Sequence, residues 1–95
     1  SERLFVYILA SRKHGTLYVG VTNDLIRRIH QHKAKVVGGF TSDIPFIHWV
    51  YFEIFDDPLS AIAREKQLKK WNREWKLQLI ETTNPGWVDL SHSLI

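Results

Sequence analysis

The stretch from Tyr18 to Lys33 changes its periodicity partway along, and few folds accommodate the change. Tyr18-Val19-Gly20-Val21 is β-prone, whereas the residues after Asp24 repeat with helical spacing. The spacing predicts a strand running into a helix, with the switch near Thr22 to Asp24. Thr22 or Asn23 can cap that helix by accepting a bond from its free N–H groups. Asp24 then falls in the first turn, where the helix dipole favours a negative charge. Arg28 and His32 stand four residues apart and share a face, with Leu25 and Ile29 beside them. One edge of the helix can therefore pack inward while a guanidinium and an imidazole project at its border. With a phenol on the incoming strand, these groups can handle an anion.

Upstream, Leu4-Phe5-Val6-Tyr7-Ile8-Leu9 is apolar on both faces and reads as an interior strand. Ser11 to Gly15 is a turn, and Thr16 to Val21 returns as the second strand of a hairpin. A near-symmetric turn sets Tyr7 almost opposite Tyr18 on one face. Gly20 shares that face and leaves room for something to approach the backbone.

Downstream, Ala34 to Pro45 contains Gly38-Gly39 and reads as an exposed connection. Phe46 to Phe55 is a third strand, apolar on both faces, in which His48 reads as a satisfied or edge-exposed histidine. Asp56-Asp57-Pro58 starts a helix that runs to about Lys70. Within it Ala61, Ile62 and Leu68 surround Glu65 at helical spacing, so a carboxylate sits in the apolar stripe. Such a group must be paired, hydrogen-bonded or coordinating a cation. Two readings stand side by side: a half-buried salt bridge, for instance to Arg28, or a functional carboxylate. Trp71 to Ile80 continues as a second helix or as the first one bent near Asn72. Trp71, Trp75 and Leu79 read as core. Thr82 to Gly86 ends the helix by turn chemistry, and Trp87 and Leu90 tuck the tail onto the body. The order ββαβαα predicts an α+β fold, a three-stranded and mainly antiparallel sheet flanked by helices, as one domain over residues 1–95 with its core at about 4–90.

With 95 residues, the chain is long enough for one domain and a modest core. A hydrophobic content of 44% argues against disorder, and no apolar run is long enough to span a bilayer, so no membrane partner is expected. The absence of cysteine excludes thiolate metal sites and fits a cytoplasmic protein. Charge is unevenly spread. Residues 1–38 hold seven Lys/Arg against two Asp/Glu, residues 39–57 carry four acidic groups and no Lys or Arg, and residues 58–76 hold six basic against two acidic. Two basic segments separated by an acidic one can form a phosphate-binding face or simply a solvated surface.

With Val6-Tyr7-Ile8, Tyr18-Val19-Gly20, Arg28, His32 and Glu65 in this order, the chain resembles the GIY-YIG nuclease superfamily. Within it, the segments Ala63 to Trp71 and Asn84-Pro85-Gly86-Trp87 resemble those of its small single-domain bacterial group. The resemblance implies a metal-dependent endonuclease that hydrolyses phosphodiester bonds of DNA, with RNA as an alternative substrate, either structure-selective in repair or recombination or nonspecific. It implies that Glu65 holds one Mg²⁺ or Mn²⁺, that Arg28 faces the developing negative charge, and that Tyr18 is the candidate for activating water. Tyr7 and His32 would orient water or phosphate. Lys33, Lys35, Lys69 and Asn84 are the expected nucleic-acid contacts. Two departures stand out: Val6 replaces the leading Gly of the first tripeptide, a change such sites tolerate, and Gly39 to Pro45 carries Asp43 but lacks the Lys and Tyr of similar loops, which bears on DNA engagement. No separate DNA-binding domain is evident, so a protein partner for targeting is expected. The alternative reading is a non-catalytic nucleic-acid-binding module of the same fold.

Overall fold

A computed structural model describes residues 3–37 and 48–94. Its elements are β1 (Leu4–Ala10), β2 (Leu17–Thr22), α1 (Leu25–Val37), β3 (His48–Phe55), α2 (Pro58–Lys70), α3 (Arg73–Thr83) and a short α4 (Ser91–Leu94). Of the expected connection from Ala34 to Pro45, residues 34–37 instead continue α1, and the remainder, with the expected strand residues Phe46 and Ile47, lies outside the described residues.

The strands form one antiparallel sheet in the order β2-β1-β3. As the middle strand, β1 is covered on both sides, which is what its two apolar faces require. On one face Tyr7 and Leu9 pack with Leu25 and Ile29 of α1 and with Trp49 of β3. On the other, Val6, Ile8 and Ala10 pack with Ala61 and Leu68 of α2 and Ile80 of α3. β3 serves both faces through a bulge: Ile8 pairs with Tyr51 and Leu9 with Trp49, leaving Val50 as the extra residue. Trp49 therefore joins the α1 side, while Val50 and Tyr51 both join the other.

Helix ends follow local hydrogen bonding. Asp24, rather than Thr22 or Asn23, caps α1 by accepting from the Arg27 N–H at 3.1 Å. Thr22 Oγ1 instead fixes the turn before it, accepting from the Asp24 N–H at 3.1 Å. Asp57 caps α2 by accepting from Ser60 at 2.8 Å. Asn72 separates α2 from α3 and caps the latter by accepting from the Trp75 N–H at 2.9 Å. The expected Trp71–Trp75–Leu79 core stripe is only partly realised. Trp75 is 53% exposed, because α3 turns Ile80 and its neighbours Leu77 and Leu79 toward the sheet instead.

The tail closes the outer edge of β3. Leu90 N–H donates to the Trp49 carbonyl at 2.7 Å, and the Asp89 carboxylate accepts from the Trp49 N–H at 3.1 Å. Asn84 is buried, and its amide donates to the carbonyls of Val50 and Val88 and accepts from the Val88 N–H. Trp87, buried at a positive φ of 55°, donates its indole N–H to Glu81. Glu81 also meets His14 at the hairpin tip, and Arg73 donates to the carbonyls of His14 and Gly15. α3, the tail and the hairpin are thus locked together by polar contacts as well as by Ile80.

Candidate functional site

The site begins with the hairpin register. Tyr7 pairs with Gly20 and Leu9 with Tyr18, so the two tyrosines share a face but stand diagonally, not opposite. The register is displaced by two residues from one that sets Tyr7 opposite Tyr18, and a shift of two preserves the face. Its consequence lies at Gly20. A Cβ there would sit 2.5 Å from Cζ and the hydroxyl oxygen of Tyr7. The space beside Gly20 is therefore filled by the Tyr7 phenol, which lies across β2. This glycine is required by a close approach from within the protein.

Around that phenol, the α1 register brings in His32. The His32 ring centroid lies 6.4 Å from both Tyr7 and Tyr18 and 5.7 Å from Trp49. Tyr7 and Tyr18 are 6.5 Å apart, and Tyr7 rests 4.5 Å from Trp49. Trp49 is thus the fourth wall of an aromatic box, a residue whose place the sequence reading missed. Only the β3 bulge directs it there, and bulges leave little trace in periodicity. Exposure separates the tyrosines: Tyr7 is 1% exposed and Tyr18 is 44% exposed. Burial pushes the Tyr7 hydroxyl up to about 12, against the opposing charge of Arg28 and with smaller contributions from Tyr18 and Glu65. Tyr7, Tyr18, Arg28 and Glu65, drawn from β1, β2, α1 and α2, accordingly share one electrostatic neighbourhood.

Arg28 is half-buried one turn before His32, as the four-residue spacing predicts. It also lines an open depression of about 270 Å³ with Arg27, Gln31 and the Thr22–Asp24 turn. Two guanidinium groups and the start of a helix make this depression receptive to an anion. Glu65 lies half-buried on α2, its side chain 15% exposed, and its carboxylate meets Lys69 Nζ at 3.1 Å. The expected ion pair is real, but its partner among the described residues is Lys69 and not Arg28.

The donor set bears on which metal can fit. Among the described residues no three His, Cys, Asp or Glu side chains cluster as a metal cage. A single carboxylate suits a hard divalent ion that keeps most of its water, the usual habit of Mg²⁺. Glu65 fits that role: it is half-buried, acts on the Tyr7 phenol, and its ion partner among the described residues is a long side chain that is 52% exposed.

The remaining expected contacts divide. Lys69 stands at Glu65, whereas Asn84 does not face a ligand, because its amide is consumed by backbone bonds in the buried tail. The side chains of Lys33 and Lys35 lie outside the described residues. A second ionic centre went unread: Arg64 donates to both carboxylate oxygens of Glu53, which Tyr51 also contacts. The signal was present, since Glu53 interrupts the apolar run Trp49 to Phe55 as Glu65 interrupts its helix.

Comparison with known proteins agrees with this arrangement. Residues 3–78 match the GIY-YIG catalytic domain. A UPF0213 protein of Clostridium perfringens is 40% identical over 78 residues, covering 82% of this chain and 83% of the relative. Another, from Haloquadratum walsbyi, is 36% identical over 77 residues, covering 81% and 85%. The solution NMR structure of a UPF0213 protein from Bacillus halodurans superposes with a TM-score of 0.59 at 28% identity, covering 92% of each chain. The chain therefore belongs to the GIY-YIG nuclease superfamily.

Proposed function

We propose that this chain is a divalent-metal-dependent endonuclease that hydrolyses phosphodiester bonds of DNA. One observation carries the reading: a buried Tyr7 stands with Tyr18 and His32 at ring-centroid distances of 6.4–6.5 Å, with Arg28 one turn before His32 and Glu65 half-buried on α2. A carboxylate can hold a hard divalent ion and a guanidinium can bind phosphate, so the two groups beside the phenols suit phosphodiester hydrolysis.

Each residue has a role suited to its surroundings. Glu65 would hold the metal, which when bound supplies Lewis-acid polarisation of the scissile phosphate. Arg28 offers planar donors to the charge that builds on the phosphate oxygens. Tyr7 keeps its proton at neutral pH, so it serves as a hydrogen-bond donor that orients water or phosphate. Tyr18, reachable from solvent, would take a proton from the attacking water after its own proton has passed to His32 or to solvent, a loss that the metal and the Arg28 charge would favour. His32, between the two phenols, can pass that proton onward or fix their orientation.

A cleavage panel tests this. Linear, nicked, flap and branched DNA and single-stranded RNA are incubated with Mg²⁺, Mn²⁺ or EDTA, beside Glu65→Ala. Metal-dependent cutting that disappears in the variant supports the reading and ranks the substrates. Binding without cutting on every substrate would replace it with the non-catalytic module.

A further inference from the structure

Glu65 meets only one ion partner among the described residues, and that partner is itself a cation in the place where a metal would be held. We propose that Lys69 is an exchangeable counter-cation. It occupies the Glu65 carboxylate before the metal does, then moves to the substrate phosphate once the metal displaces it. The proposal rests on the metal-site reading above and extends it to a residue of this chain.

Geometry supports the exchange. Lys69 Nζ is 3.1 Å from Glu65 Oε2, close enough to claim a coordinating oxygen. Glu65 is 15% exposed, so its carboxylate has a narrow opening, and the ammonium reaches in from the side that is 52% exposed. An ammonium and a dication cannot share that opening without strong repulsion. The pairing is nonetheless easy to break: it is a single contact made by a flexible four-carbon stem, with Lys at i+4 from Glu. Tethered on the same helix, a displaced Lys69 stays within one side-chain length of Glu65. Any phosphate brought to that carboxylate by a metal would then be the nearest negative charge. Metal and nucleic acid should consequently bind cooperatively, and each should strengthen the other equally.

Two measurements decide it. First, binding of Mn²⁺ alone is followed by electron paramagnetic resonance for the full chain, Lys69→Ala, Lys69→Arg and Glu65→Gln. Lys69→Ala should bind Mn²⁺ about threefold more tightly, the scale of a partly exposed ion pair, with Lys69→Arg near the parent chain. Glu65→Gln should lose the site. Equal affinity in Lys69→Ala and the parent, with Glu65→Gln still defective, overturns the exchange and leaves the metal site standing. Unchanged binding in Glu65→Gln overturns both.

Second, the salt dependence of binding to a cleavage-resistant phosphorothioate oligonucleotide is compared with Mg²⁺ and with EDTA. In Mg²⁺ the parent chain should exceed Lys69→Ala by roughly 0.7–0.9 in the slope of log affinity against log salt, one phosphate contact. In EDTA the two slopes should coincide. A difference of the same size in both media would make Lys69 a permanent phosphate contact and overturn the handover.

Discussion

Glu53 and Glu65 are both half-buried carboxylates, with side chains 21% and 15% exposed, yet their surroundings are opposite. Glu53 is saturated. Arg64 Nε and Nη2 donate to its oxygens at 2.9–3.2 Å, Tyr51 donates to the same group, and Arg64 is itself fixed by Gln67 and lies 5.1 Å over Trp71. Glu65 holds one flexible ammonium. A carboxylate with a rigid, complete partner set serves the fold, since another ligand would have to break several bonds to enter. A carboxylate with one labile partner can exchange it. Counting partners, more than measuring burial, separates the saturated group from the exchangeable one.

The largest expected effect is the loss of cutting in Glu65→Ala, with a melting temperature close to that of the parent chain; a large fall in melting temperature would put Glu65 in the same class as Glu53. Next in size, Glu53→Gln should lower stability by about 2 kcal/mol while cleavage survives, because a half-buried Arg64 loses its charge partner. Urea unfolding measures this, and an unchanged midpoint would erase the contrast. Arg28→Lys should cut the rate about tenfold, equivalent to about 1.4 kcal/mol of lost transition-state contact, without altering stability. An undiminished rate would leave Arg28 as a packing or binding residue.

The smallest effect is a pH dependence of stability, to which the Glu53 centre contributes on both flanks. Burial pushes the Glu53 carboxyl up, but bonds from Arg64 and Tyr51 and the Arg64 charge outweigh it and hold the group below its ordinary 4.5. A depressed carboxyl contributes in full above 4.5 and loses that contribution as pH falls through its lowered value. Tyr51 works in the opposite sense. Raised to about 12 by burial and by its bond to Glu53, it contributes in full below 10 and loses that as pH climbs toward 12. Melting curves from pH 2 to 12 should show both flanks in the parent chain, and a shallower acid flank in Glu53→Gln.

Periodicity exposed Glu65 because a charged residue in a helical apolar stripe has few explanations. It exposed the hairpin, the shared face of the two tyrosines and the paired spacing of Arg28 and His32 for the same reason. The register was legible only modulo two, since pleating fixes the face and the turn fixes the partner. Trp49 and the Tyr51–Glu53–Arg64 centre were not read because a bulge and a pairing across eleven residues depend on tertiary placement. Asn84 was misjudged because a polar residue beside a turn looks available until the tail folds over it.

The tail described above has a consequence for where this domain can be cut. The GIY-YIG match ends at residue 78, but residues 84–90 occupy the outer edge of β3 at Trp49 and Val50. A fragment trimmed to the matched segment would keep Tyr7, Tyr18, Arg28 and Glu65 while baring an apolar strand to its neighbours. Such an edge recruits other strands, so the trimmed piece is expected to self-associate. Residues 84–90 are in that sense a molecular selvedge, keeping the cloth from fraying into its copies.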